Sequence, residues 1–476
     1  MRTFFFYDLE TTGFSAKHDR IMQFAGIRTD KDLNELDQEE NILIKLTDDT
    51  LPSPGAILTT HITPQKTLAD GINETEFCAY FLDKVATPDT VILGYNSVRF
   101  DDEFLRYTLW HNFRDPYEWA WAEGRSRWDL LDVTRMVRAL RPDGVNWPTK
   151  RAKDGKTGEW VERPTVNLVD MAKSNGFENK QAHDALADVR ALINLARLLR
   201  DKQPRMWNYL YKHRSKEKVA EVVRLGRPFV YTSGRYTSEN AKTTIAVPIT
   251  RLKNSNNLLV WDLRYAPTDF VGWSEQTIMA NLTANYEQRH TDGFRALPIK
   301  EISLNKCPAV APVGTLDDGS EERIHLTKAE AQTNLKLLQQ NKDFLVCLIN
   351  TYNARPEWLG DKDVEGQLYD SFTPEADRPK CRAIAAMTDA RQLADFHPEF
   401  NDDRLPELLL RYKARMYPKS LSEDEQKRWE KYRSDKLQRE LPKYMEELQK
   451  AAAAGADDYI LQELQLWAES IMPYNE

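Results

Sequence analysis

The stretch FFFYDLETTG, Phe4 to Gly13, sets an aromatic run directly against two carboxylates one residue apart. Aromatic and β-branched residues over Thr3–Tyr7 predict a buried strand. Residues i and i+2 of a strand share a face, so Asp8 and Glu10 stand side by side at its end. Gly13, after Thr11 and Thr12, lets the chain turn sharply away. Neighbouring carboxylates repel, and one of them protonates unless a cation sits between them. Their oxygen-only character suits Mg²⁺ or Mn²⁺ better than zinc. The bland alternative is a strand end with two solvated acids, and this pair alone does not separate the two readings.

The chain around this stretch has 476 residues, 41% hydrophobic and 29% charged, the composition of a globular protein. At roughly 100–200 residues per domain, about three domains are expected. No window approaches the ~18 apolar residues of a membrane span. The N-terminal MRTFFFYD is too short and too soon acidic for a signal peptide. Cys78, Cys307, Cys347 and Cys381 lie far apart without zinc spacing, which fits thiols in a reducing cytoplasm. A net charge of −8 argues against a protein that coats nucleic acid indiscriminately, but it permits one local basic groove.

Strands are expected at Thr3–Tyr7, Ile21–Arg28, Asn41–Leu46 and Thr90–Tyr95, with helices near 74–85, 101–111, 129–140 and 184–201. That alternation predicts an α/β layer fold over residues 1–202. Within it, TKRAKDGKTGEW (Thr149–Trp160) reads as an exposed loop or hairpin. Residues 203–353 carry short strand-like runs (RPFVYTS, TTIAVPIT, NLLVWDL) and end in a helical stretch near 327–352, a second, β-rich domain. Residues 354–476 read as helical and heavily charged. Their dense Lys/Arg alternation (ELLLRYKARMYPKS, KRWEKYRSDKLQRE) suggests a face turned toward a groove.

Two further stretches bear on the acid pair. GYNSVRFDDEFL places Asn96 five residues before Asp101 at a strand-to-helix junction, where Asp101 and Asp102 both compete as helix N-caps. AHDALADVRAL places His183 five residues before Asp188 on an amphipathic helix. Near that helix's N-terminus the dipole disfavours an imidazolium, and a neutral imidazole can take a proton from water.

Together, DLETTG, N-x3-FD and H-x4-D resemble, in order and separation, the three motifs of the DEDD superfamily of 3′→5′ exonucleases, in its His-bearing subclass. ILGYNSVRFDDEFLR, DPYEWAWAEGRSRWDLLDV, ALRPDGVNWP and LNKCP extend the likeness to the bacterial exonuclease I family, over nearly the whole chain. The resemblance implies a ribonuclease H-like exonuclease domain, an SH3-like β-barrel domain and a C-terminal helical domain. It implies two divalent metals per active site, Mg²⁺ with Mn²⁺ as the alternative. Asp8, Glu10 and Asp188 would bind metal, Asp101 would support the second ion and His183 would activate water. Asp102 and Asp184 are the adjacent acids that motif spacing passes over. The activity implied is processive degradation of single-stranded DNA to 5′-mononucleotides, in DNA repair and recombination.

For the strand itself, DPYEWAWAEGRSRW offers Tyr117, Trp119, Trp121, Arg127 and Trp128. Bases stack on aromatics without sequence preference and arginines track phosphates. About half of these tryptophans belong in the core, Trp128 first. Arg106 and Arg135 flank the region. The resemblance adds Lys216, Arg235, Lys300, Asn305 and Lys306 as DNA contacts. Asn167 falls where a basic residue would suit a substrate phosphate. The family also docks the acidic C-terminal tail of single-stranded-DNA-binding protein, at positions matching Arg141, Tyr209 and Arg227. Pro312 and Asp317 are a poor anion-binding pair for that partner. A monomer with no membrane contact is expected. The rival readings are an RNA-directed exonuclease of the same superfamily, whose chains are far shorter, and a non-catalytic single-strand binder, which would not need the acid set.

Overall fold

Strand β1 (Thr3–Thr11) is the centre of a five-stranded sheet ordered β3-β2-β1-β4-β5, with β2 at Ile21–Thr29, β3 at Glu35–Leu43, β4 at Thr90–Gly94 and β5 at Ser126–Asp129. The structure, a computed structural model, describes residues 2–153, 158–177, 185–253, 255–356 and 360–473. The first strand does not stop at Tyr7. It runs on through both acids because β2 continues to offer partners, Ala25 opposite Asp8 and Gln23 opposite Glu10. Its parallel pairing with β4 covers only Thr3 to Phe6. Asp8 and Glu10 therefore lie past the last β4 partner, in the open crevice beyond a parallel strand's end where ligands of α/β sheets bind.

The third strand lies earlier than expected, at Glu35–Leu43 rather than Asn41–Leu46. It is an edge strand, and charged residues such as Glu35 and Glu39 protect such an edge while disguising it as loop. Ile44 has already left the sheet to bridge Ile72. One face of β1 sends Phe5, Tyr7 and Leu9 into a core with Phe24, Phe77, Phe81, Phe104 and Trp119. Burying each such side chain stabilises the fold by about 1.5–3 kcal/mol. The helices Asp101–His111, Leu130–Leu140 and Ala185–Lys202 lie close to where periodicity predicts them. The helix predicted over 74–85 is Glu74–Tyr80, started by an Asn73/Glu76 capping box and continued by a wider π turn over Phe81–Val85.

The chain forms two compact units. The first joins Met1–Arg127, Asn179–Ile193 and Leu359–Glu476, and the second joins Trp128–Glu178 and Asn194–Trp358. In the first unit the C-terminal helices complete the core of the acid-bearing layer. Met22, Ile57 and Ile62 pack with Tyr444, Leu448, Ile460 and Leu464, and Tyr107, Trp110 and Phe113 pack with Leu405, Leu408 and Tyr412. The basic residues of ELLLRYKARMY do not face a groove. The side chains of Arg411, Lys413 and Arg415 are buried, and Arg415 pairs with Asp49 at 2.7 Å and with Glu365. Lys436 reaches the same Asp49 at 2.9 Å, and Arg20 reaches Glu365 at 3.0 Å. A cation excluded from water needs such a partner.

The second unit is built on an antiparallel sheet ordered β11-β10-β9-β8-β12, formed by β8 (Phe229–Thr232), β9 (Thr243–Arg251), β10 (Asn257–Asp262), β11 (Ile299–Ser303) and β12 (Ala309–Pro312). Val219, Phe229, Tyr231, Leu258, Val260 and Ile302 share its core. Helices Lys328–Gln340 and Lys342–Asn353 follow. The segment expected as loop or hairpin is a hairpin, with β6 at Thr149–Lys153 and β7 at Trp160–Pro164 making a separate two-stranded sheet. Among the described residues, no helix is long and apolar enough to cross a membrane.

Candidate active site

Three carboxylates from distant parts of the sequence meet at the open end of β1. Asp8 and Glu10 come from the strand and Asp188 from the first turn of the helix Ala185–Lys202, each with an oxygen within 4.8 Å of the others. Along β1, buried Tyr7, Leu9 and Thr11 alternate with half-buried Asp8 and Glu10, so the acids share the face away from Tyr7 and Leu9. Burial, together with the charges of Asp101, Glu10 and Asp188, holds the Asp8 carboxyl well above the usual carboxylate range. Burial and Asp188 push Glu10 up to about 7. Such a cluster keeps protons unless a cation replaces them. The donors are all carboxylate oxygens, which fits a hard divalent ion such as Mg²⁺ or Mn²⁺.

Asp101 opens the helix Asp101–His111 and is 4% exposed. It is not one of the converging three, but its charge is the strongest of those acting on Asp8. The turn that delivers it is tightly specified. Asn96 takes a left-handed φ of 69°, and a Cβ on Gly94 would lie 2.4 Å from that of Ser97. The neighbouring Asp102 has a different task. It accepts a hydrogen bond from the Tyr7 hydroxyl at 2.6 Å and pairs with buried Arg127. Tyr7 and Asp8 point to opposite faces of β1, so two adjacent aspartates are divided between core and cleft.

Gly13 is required by close approach, because a Cβ there would meet the Asp19 carboxylate at 2.6 Å. That carboxylate accepts the Ser15 N–H at 2.8 Å and the Thr12 hydroxyl at 3.2 Å, fixing the turn after the acids. The turn presents Phe14, 90% exposed, with its ring 6.4 Å from that of Phe100. The sequence reading missed Phe14. The signal for it was an apolar ring placed directly after a polar, glycine-bearing turn. His183 and Asp184 lie outside the described residues.

A family model for exonucleases matches residues 5–196, one for the exonuclease I SH3-like domain matches 214–354, and one for the exonuclease I C-terminal domain matches 362–471. Exodeoxyribonuclease I of Haemophilus influenzae is 35% identical over 459 residues, spanning 96% of this chain and 95% of that protein. The chain belongs to the exodeoxyribonuclease I family. Exonuclease I of E. coli in complex with a dA16 oligonucleotide superposes with a TM-score of 0.92 at 35% identity, covering 99% of this chain and all of that one. The zinc-bound form of the E. coli enzyme with single-stranded DNA gives a TM-score of 0.91 at 35% identity, covering 99% of each chain. The two five-stranded sheets and the C-terminal helices are thus the exonuclease, SH3-like and C-terminal parts of an exodeoxyribonuclease I fold.

The residues expected to meet the strand fall into two groups. In the first unit, Trp121 is 65% exposed, and half-buried Tyr117 lies against Arg106, whose guanidinium carbon is 5.7 Å from the ring centre. Trp119 is core. Arg106 is buried and bonded to Glu103 and Tyr369, both at 3.2 Å, and Arg127 is committed to Asp102. In the second unit, Trp128 is core, Arg135 pairs with Asp132 at 2.7 Å, and the Asn167 side chain caps the helix Leu168–Ser174. Lys216, Arg235, Asn305 and Lys306 are exposed. Lys300 lies 4.5 Å from the centre of the Tyr236 ring, and burial pulls its ammonium down to about 8. Arg141 bonds Asp317 at 3.0 Å and the Thr315 carbonyl at 2.7 Å, Tyr209 stacks on His213 with ring centres 4.0 Å apart, and Arg227 is exposed.

Proposed function

We infer that this chain is a 3′→5′ exodeoxyribonuclease that hydrolyses single-stranded DNA to 5′-mononucleotides. The convergence of Asp8, Glu10 and Asp188, in a chain of the exodeoxyribonuclease I family, carries the reading. Asp8, Glu10 and Asp188 would hold one divalent cation, and Asp101, with Asp8, would support a second; Mg²⁺ is the natural ion and Mn²⁺ its substitute. When bound, such ions supply Lewis-acid stabilisation of charge on a phosphodiester. His183 takes the proton of the attacking water as general base. Phe14 and Trp121 stack on unpaired bases, which selects a single strand because a duplex hides those faces. Tyr117, Arg135, Asn167, Lys216, Arg235, Lys300, Asn305 and Lys306 line the strand's path. Arg106 and Arg127, both buried, act by positioning Tyr117 and Asp102.

In this reading the functional domains are residues 1–202, 203–353 and 354–476, and the protein works as a cytoplasmic monomer, processively, in DNA repair and recombination. The acidic tail of single-stranded-DNA-binding protein docks at Arg141, Tyr209 and Arg227 after displacing Asp317 from Arg141. The test is digestion of a 5′-labelled single strand with Mg²⁺, with Mg²⁺ plus EDTA, and after annealing its complement. The label should survive on a shrinking ladder with Mg²⁺ alone, and the blunt duplex should persist. Early release of the label as a mononucleotide would reverse the polarity and sink the reading.

A further inference from the structure

The hairpin β6–β7 is not used by any part of the chemistry above, and its composition is unlike that of the chain. Residues 149–164, TKRAKDGKTGEWVERP, hold five basic and three acidic residues in a chain whose net charge is −8. Among the described residues its two strands pair only with each other, in the register Lys150 opposite Arg163, Arg151 opposite Glu162 and Lys153 opposite Trp160. An isolated two-stranded hairpin is at best marginally stable, so a bare hairpin gains little for its own unit.

The pairing sorts the side chains into two faces. Lys153, Trp160, Arg151 and Glu162 share one face, because directly opposed residues and those two apart project together. Trp160 is 59% exposed. The Arg151 guanidinium carbon lies 5.9 Å from its ring centre and the Lys153 ammonium 5.8 Å. On the other face Lys150 opposes Arg163. A large indole left in water between two cations matches one occupant in both respects. An unpaired base offers a π face to the indole, and its flanking phosphates offer charge to the cations.

We propose that the β6–β7 hairpin is a binding element for single-stranded DNA, with Trp160 stacking on a base and Arg151 and Lys153 bonding the adjoining phosphates. The inference rests on the proposed substrate, and it adds a contact outside the acid cluster. A duplex or an acidic protein segment would satisfy the cations but would leave the indole without a stacking partner.

Binding is measured in EDTA, so that no strand is cut, on the full chain with fluorescent oligo(dT). Trp160→Ala should weaken the complex about fivefold or more, the scale of one lost base stack. Arg151→Gln with Lys153→Gln should lower the salt dependence by about 1.4 in log Kd against log salt, at about 0.7 per phosphate contact. Ultraviolet crosslinking of a 5-iodouracil strand should place an adduct on the hairpin peptide. Unchanged affinity and slope, with adducts only elsewhere, would overturn the proposal. Mg²⁺-dependent digestion of the same oligonucleotide by the wild-type protein tests the substrate reading separately. A protein that cuts but shows no hairpin effect fails this inference alone.

Discussion

Arg415, in the C-terminal helices, pairs with Asp49, in the loop after the first three strands, at 2.7 Å, and the two side chains are 3% and 0% exposed. Removing one partner of a buried pair leaves an unpaired charge, which typically costs about 3–5 kcal/mol. Asp49→Ala should therefore lower the midpoint of thermal unfolding sharply. The surrounding cations hold Asp49 and Glu365 well below the usual carboxylate range, so this stability is present above about pH 4 and lost as pH falls below it. A chain cut near residue 354 would expose Asp49 and Arg20 together with the apolar partners of Tyr444 and Leu464, and should unfold rather than yield a free exonuclease layer. A cooperative melt of such a fragment at the wild-type midpoint would disprove this coupling.

The acid cluster has the opposite pH signature. Glu10 titrates near 7 when folded against about 4.5 when unfolded, so between those values the unfolded chain holds fewer protons. Metal-free protein should then lose stability as pH rises from about 4.5 to 7. Calorimetry in EDTA should show that decline in the wild type and a smaller one in Glu10→Gln. Mg²⁺ should raise the midpoint more at pH 8 than at pH 5, because protons compete for the same oxygens. An equal Mg²⁺ effect at both values would place the ion elsewhere.

Trp119 and Trp121 are two residues apart and should behave oppositely. Trp119 is fully buried, and its replacement by alanine should cost about 3–5 kcal/mol of stability. Trp121 is 65% exposed, and Trp121→Ala should leave the melt within about 0.5 kcal/mol of wild type while weakening single-strand binding. Thermal melts and fluorescence anisotropy in EDTA measure the two effects independently.

His183→Ala should slow hydrolysis by about 10²–10⁴-fold, the usual contribution of a general base. Affinity for oligo(dT) in EDTA should stay at the wild-type value. A wild-type rate in single-turnover kinetics would remove His183 from the chemistry.

The Asp8–Glu10 pair was legible in the sequence because the period-2 geometry of a strand is a local signal, and Asp188, which joins the pair, was singled out by the H-x4-D spacing. The aromatic run gave the central strand for the same reason, but not its length, which depends on β2 supplying partners as far as Gln23. Long-range pairing hid the rest. Arg415, Arg411 and Lys436 look like surface charge until Asp49 and Glu365 are brought to them. Arg127 looks like a phosphate ligand until Asp102 faces it, and the strand expected from Asn41 begins earlier, at Glu35, because the first half of this edge strand carries charges.

The most direct test of the account is the uptake of Mn²⁺, followed by electron paramagnetic resonance, in wild-type protein and in Asp188→Asn. The wild type should bind Mn²⁺ at pH 8, and the variant should lose at least about tenfold in affinity while retaining its oligo(dT) affinity in EDTA. Equal Mn²⁺ affinity in the two folded proteins would contradict it.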